Sequence, residues 1–122
     1  MWEFFEPELR KRLDHLEIDD TMAARVRAAL IELLPAGKST VEDVAHALHT
    51  SARTIQRRLS EEETTYRKQL NHVRLLLAKQ YLANTEMSLD TIAFMLDYSE
   101  PHSFVRAFTL WTGQSPTQYR AH

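Results

Sequence analysis

Three arginines fall within six residues, at 53, 57 and 58, with Gln56 among them. On a helix Arg53, Gln56 and Arg57 share one face, because residues three and four apart are neighbours. Arginine can pair bidentately with a guanine edge and glutamine with an adenine edge, so such a face has the chemistry to read DNA bases. A solvated basic face is the alternative for the same residues. A second, sparser set comprises His102, Ser103 and Arg106. Other chemistries find less support. The chain has no cysteine, and none of its serines sits in a GxSxG elbow. Glu61, Glu62 and Glu63 form a run suited to solvent rather than isolated carboxylates on apolar faces. His46 and His49 are three apart, but no third ligand follows at motif spacing and HExxH is absent. With only 2 glycines there is little material for a phosphate-cradling loop. An enzyme is therefore not expected, nor a metal, nor a cofactor.

The chain that carries these residues has 122 of them, which suits one domain with an appended segment. Hydrophobic residues make up 43% and charged residues 26%, values ordinary for a globular protein with a real core. No apolar run approaches a membrane span, and the N-terminus lacks the pattern of a signal peptide, so a cytoplasmic location is expected. The net charge of −2 argues against a nucleic-acid partner until the chain is divided. Residues 1–35 hold 5 Lys/Arg against 8 Asp/Glu, whereas residues 36–122 hold 10 against 9. Basic charge is focused around 53–58 rather than spread.

The elements that must position these side chains read as helices. Phe5, Leu9, Leu13 and Leu16 form one stripe, and Pro7 suits a first turn, which predicts a helix that begins near Glu6 and runs to Leu16. A second helix is predicted over 20–34, with Met22, Val26, Leu30, Leu33 and Leu34 as its core face and Gly37 just past its end. A long helix over 65–83 follows from Tyr66, Leu70, Val73, Leu77 and Tyr81, a stripe widened by Leu75, Leu76 and Leu82.

Around that long helix the chain repeats. Residues 40–51 align with 88–99 at an offset of 48, and after one inserted residue Ile55, Arg57 and Leu59 align with Phe104, Arg106 and Phe108. Each copy opens on a hydroxyl cap (Thr40, Ser88), carries a small residue where helices would cross (Ala45, Ala93), and meets a second hydroxyl (Ser51, Ser99) before a second helix. That is the outline of a helix-turn-helix, twice, at about 40–60 and 88–109. A 19-residue rod between them spans roughly 28 Å, close to the spacing of successive major grooves on one DNA face.

Taken together, these residues resemble the DNA-binding domain of the AraC/XylS family of bacterial transcription regulators, over about residues 36–121. The resemblance is carried by Ser51, Arg53, Ile55, Gln56, Arg57 and Leu59 in the first unit and by Arg74, Ala78 and Leu82 in the connecting helix. Ile92, Ala93, Leu96, Ser99, Pro101, Phe104, Arg106 and Phe108 carry it in the second, and Trp111, Gly113, Ser115, Pro116, Tyr119 and Arg120 at the end. It implies an all-α fold of two helix-turn-helix subdomains joined by a long central helix, with residues 1–18 as an extra linker helix and 19–122 as the DNA-binding domain. It also implies sequence-specific binding to double-stranded DNA across two successive major grooves, activation of transcription through RNA polymerase, and an upstream effector-binding domain absent from this chain. The chain by itself is then expected to be monomeric.

In the same terms Arg53, Gln56, Arg57, His102, Ser103 and Arg106 are expected to read bases. Ser51, Thr54, Arg58 and Ser99 are expected to touch phosphate or cap helices. Arg74, amid apolar neighbours, is expected to pair with a carboxylate. The sequence departs from the family where His49, Glu63 and Asp97 stand in place of glycine, positions that commonly need a left-handed backbone. Leu110 stands where relatives often carry a basic residue. The competing function is a helical protein-interaction module built on Trp2, Phe4, Phe5 and the first helix.

Overall fold

Hydroxyl side chains ahead of apolar-periodic runs start five of the helices in the computed structural model, which describes residues 21–121. Helix α1 (Met22–Leu33) begins where the Thr21 hydroxyl accepts from the Ala24 amide, and a 3-10 turn (Leu34–Ala36) extends it to Gly37 at φ 76°. Thr40 opens α2 (Val41–Ala47) with a reciprocal cap: its hydroxyl accepts from the Asp43 amide and the Asp43 carboxylate accepts from the Thr40 amide. Ser51 opens α3 (Ala52–Glu61), and Thr65 opens the long α4 (Tyr66–Asn84). Ser88 opens α5 (Leu89–Met95); α6 (Pro101–Thr112) and α7 (Pro116–Ala121) complete the chain, each with proline at its first position. All regular structure among the described residues is helical.

Two cores sit on the central helix. In the first, Met22, Val26, Leu30 and Leu34 meet Val44, Ile55 and Leu59, and the early part of α4 contributes Leu70 and Val73. In the second, Ala78 and Leu82 from the later part of α4 meet Ile92, Leu96, Phe104 and Phe108, with Tyr119 packed alongside. Leu77 borders both. Phe108 stacks edge-on against Phe104 and Tyr119, at centroid distances of 5.9 and 5.5 Å. The 3-10 turn packs on α5 and so joins the two halves directly.

The helix expected over 65–83 is α4, within a residue at each end. Leu76 does not widen its covered stripe: it is exposed, because it lies between the half-buried Leu75 and Leu77 on the side of α4 turned from both cores. The linker helix expected over 1–18, with the apolar residues of the protein-interaction reading, lies outside the described residues.

Candidate nucleic-acid interface

In the first unit the chain leaves α2 through His49, whose φ of 57° lets the Thr50 amide reach back to the Ala45 carbonyl. The Ser51 hydroxyl then accepts from the Thr54 amide at 3.1 Å and donates to the Thr54 hydroxyl at 2.9 Å. Ser51 is thus a helix cap, and half-buried Thr54 is its partner. Ile55 and Leu59 are fully buried, which fixes the rotation of α3 about its axis. Arg53, Gln56 and Arg57 consequently face outward, all exposed, while Arg58 is half-buried at the side. The Arg57 Nε lies 4.0 Å from Glu61 Oε2, one turn on; with side chains 64% and 69% exposed, that contact is weak.

The second unit repeats this plan with one change. Asp97, at φ 61°, takes the place of His49, and the Tyr98 amide reaches back to the Ala93 carbonyl. The helix that follows is capped at Glu100, not Ser99, and no side-chain hydrogen bond caps it. The inserted residue therefore falls inside the turn, ahead of the cap. Glu100 aligns with Ser51, and Pro101 sets the first helical position. The capping role expected for Ser99 is not found; it is exposed ahead of the helix. Buried Phe104 and Phe108 take the places of Ile55 and Leu59, and Arg106 faces outward as Arg57 does. His102 is exposed beside it and Ser103 half-buried. Leu110, one turn past Arg106, is 82% exposed.

Several polar residues hold these helices in place, and sequence reasoning missed or misassigned them. Glu62 does not share the solvated run expected over 61–63. Its carboxylate instead accepts from the Met22 and Ala23 amides, at 2.8 and 3.0 Å, and so caps the start of α1 from the end of α3. Among the described residues Arg74 pairs with no carboxylate. Its Nε donates to the Leu96 carbonyl at 2.9 Å, its terminal nitrogen donates to the Asp97 carbonyl at 2.8 Å, and its guanidinium lies 4.1 Å over the Tyr98 ring. Burial pulls its pKa below the ordinary arginine value, opposed by Tyr98 and Asp97. Arg120 likewise donates to the Leu82 and Thr85 carbonyls at the end of α4, both at 3.2 Å. Arg27 donates to Gln69 at 2.6 Å, and Gln69 donates to Thr64. Carboxylate–amide and guanidinium–carbonyl contacts between distant elements leave no spacing signal in a sequence.

Among the described residues no three His, Asp or Glu side chains converge as ligands, and no helix is long and apolar enough to cross a membrane. What the site offers is two outward-facing helices, each centred on an arginine and rotated into place by two buried residues.

Residues 44–122 match the family described as a helix-turn-helix domain. The chain is 38% identical over 115 residues to the ornithine utilization regulator of Pseudomonas aeruginosa, covering 94% of this chain and 34% of that protein. It thus spans about a third of the length of the curated relatives it matches. Its fold is similar to a DNA-binding transcriptional dual regulator of Escherichia coli K-12, with a TM-score of 0.75 at 26% identity, covering 83% of this chain and 90% of that one. It is also similar to the DNA-binding domain of AdpA, a global transcriptional factor solved in complex with a target DNA. There the TM-score is 0.66 at 30% identity, over 82% of this chain and 89% of that one. These relatives are transcription regulators rather than enzymes. The chain belongs to the AraC-type family of helix-turn-helix DNA-binding domains found in transcription regulators.

Proposed function

We propose that the chain binds double-stranded DNA sequence-specifically as a monomer, with α3 and α6 in two successive major grooves on one face of the duplex. One observation carries this reading: Arg57 and Arg106 occupy equivalent, exposed positions over equivalent buried pairs, at the two ends of one rigid central helix. In the first groove Arg57 is the principal base reader, with Arg53 and Gln56 beside it. In the second, Arg106 reads with help from His102 and Ser103, and exposed Ser99 and half-buried Arg58 serve phosphates. Val105 offers only apolar contact, as to a thymine methyl, so the second unit discriminates less than the first. Two reading units within one chain remove the need for a dimer.

Activation of transcription through RNA polymerase belongs to the same proposal, as does an upstream effector-binding domain joined through residues 1–18. The relatives' greater length supports the latter. Transcription in vitro from a promoter bearing the selected site tests the former.

The direct test is selection of bound sequences from a random duplex library, followed by guanine-methylation interference. The proposal expects two protected major-groove windows centred about one helical turn apart, and an affinity that falls steeply with salt. A single window, or salt-independent binding, overturns it.

A further inference from the structure

We propose that Arg74 is a positioning residue that sets the register between the two recognition helices by clamping the turn of the second unit onto the central helix. This rests on the reading that both units engage DNA.

Arg74 sits at the point where α4 passes from the first core to the second, next to Val73 and one turn before Ala78. Only 8% of it is exposed. From there one side chain grips three successive residues of the α5–α6 turn: the Leu96 carbonyl, the Asp97 carbonyl and the face of the Tyr98 ring. The Leu96 carbonyl belongs to the C-cap of α5, one of the acceptors that a helix end leaves unpaired. Asp97 is the left-handed residue on which the chain reverses. Glu100, the cap of α6, follows two residues after Tyr98. The direction in which α6 leaves the turn, and with it the position of Arg106, is therefore tied to a fixed point on the central helix.

A planar guanidinium suits this task because its donors lie in a rigid fork, and a lysine cannot reproduce the fork and the stacking together. Burying a cation at this point is costly, and an apolar side chain of similar length fills the same space without that cost. Simple packing does not call for arginine here; holding an angle does. In the first unit the residue equivalent to Tyr98 is Thr50, so no aromatic ring offers the same grip there. The first unit instead shares its core with α1, and Glu62 ties the end of α3 to that helix.

The consequence is a sharp dependence on the spacing between the two DNA boxes. Inserting one base pair rotates the second box by about 34° and moves it about 3.4 Å along the duplex. With the turn clamped, Arg106 cannot follow, and a lost bidentate contact is worth roughly ten- to a hundredfold in affinity. The test measures the affinities of the wild-type chain, Arg74→Met, Arg74→Lys and Tyr98→Leu on the selected operator and on versions with the boxes one or two base pairs closer or farther apart. The wild type should lose roughly ten- to a hundredfold on each one-base-pair change. Arg74→Met should vary by less than about threefold across the series, well short of one bidentate contact. Arg74→Lys and Tyr98→Leu should fall between. If Arg74→Met weakens every spacing by one common factor and keeps the wild-type profile, Arg74 is only a stabiliser and the proposal fails. If that variant does not fold, wild-type profiles in both Arg74→Lys and Tyr98→Leu overturn it equally. A flat profile in the wild type itself would instead refute two-groove binding, a separate failure.

Discussion

Glu63→Gly is expected to stabilise the domain, although glycine usually weakens a fold. The residue follows the end of α3 at φ 62°, a conformation that lets its amide reach the Ser60 carbonyl and the Thr64 amide reach the Leu59 carbonyl, both at 3.0 Å. These two bonds close the helix and require the left-handed backbone. An L-residue with a Cβ pays about 1–2 kcal/mol for that conformation. Glycine recovers this but loses about 0.5–1 kcal/mol through its freer unfolded chain. The net gain is about 0.5–1 kcal/mol, a rise of roughly 2–6 °C in Tm for a domain of this size. Gly113 supplies the mirror-image control. It has φ 79°, and a Cβ built there meets nothing within 4 Å. Gly113→Ala therefore isolates the backbone effect from any clash and should cost about 1 kcal/mol. Thermal unfolding followed by far-ultraviolet circular dichroism, with urea titration alongside, reads both. An unchanged Tm in both variants would show that left-handed strain carries no weight in these turns. Smaller gains are expected at His49, because histidine tolerates the region better than glutamate.

Glu62→Ala should destabilise the domain by about 1–2 kcal/mol, since it strips the carboxylate from two amides at the start of α1. Amide exchange at Met22 and Ala23 should speed up together; unchanged exchange there would contradict the capping role. Tyr66 donates its hydroxyl to the Ser39 carbonyl at 2.6 Å, and burial raises its pKa above the ordinary tyrosine value. Its contribution is complete below the unfolded value of about 10 and is lost as the pH climbs above it. Urea midpoints between pH 8 and 11 should therefore fall in the wild type and fall less in Tyr66→Phe, and parallel curves would exclude Tyr66 as the cause.

The parts legible in the sequence were those set by local rules. The hydroxyl caps at Thr40, Ser51 and Ser88 stand immediately before their helices. The family resemblance, not a local rule, points to left-handed backbone at His49, Glu63 and Asp97, and their φ values are 57°, 62° and 61°. Helical phase puts Arg53, Gln56 and Arg57 on one face, and all three are exposed. Ser99 shows where local pattern misleads. The offset of 48 that holds through the first helix becomes 49 before the cap, and a one-residue insertion inside a turn has no hydrophobic period to reveal it. Arg74 and Glu62 fail for another reason: their partners are backbone groups contributed by distant elements, and a carbonyl or amide is present at nearly every residue. Helical phase does show that a side chain faces outward. The base it meets is a property of the DNA and of the angle between the units, which the tertiary contacts around α4 and the packing of the 3-10 turn on α5 set.

Whether Arg57 and Arg106 read bases in two successive grooves is decided by the affinities of Arg57→Ala and Arg106→Ala for every single-base variant of the selected operator. Each substitution should weaken binding to the preferred operator by roughly ten- to a hundredfold and erase the preference at one base pair. The two affected base pairs should lie about one helical turn apart. If either variant weakens all operators by the same factor, that arginine holds phosphate and not a base, and the account of two reading helices is wrong.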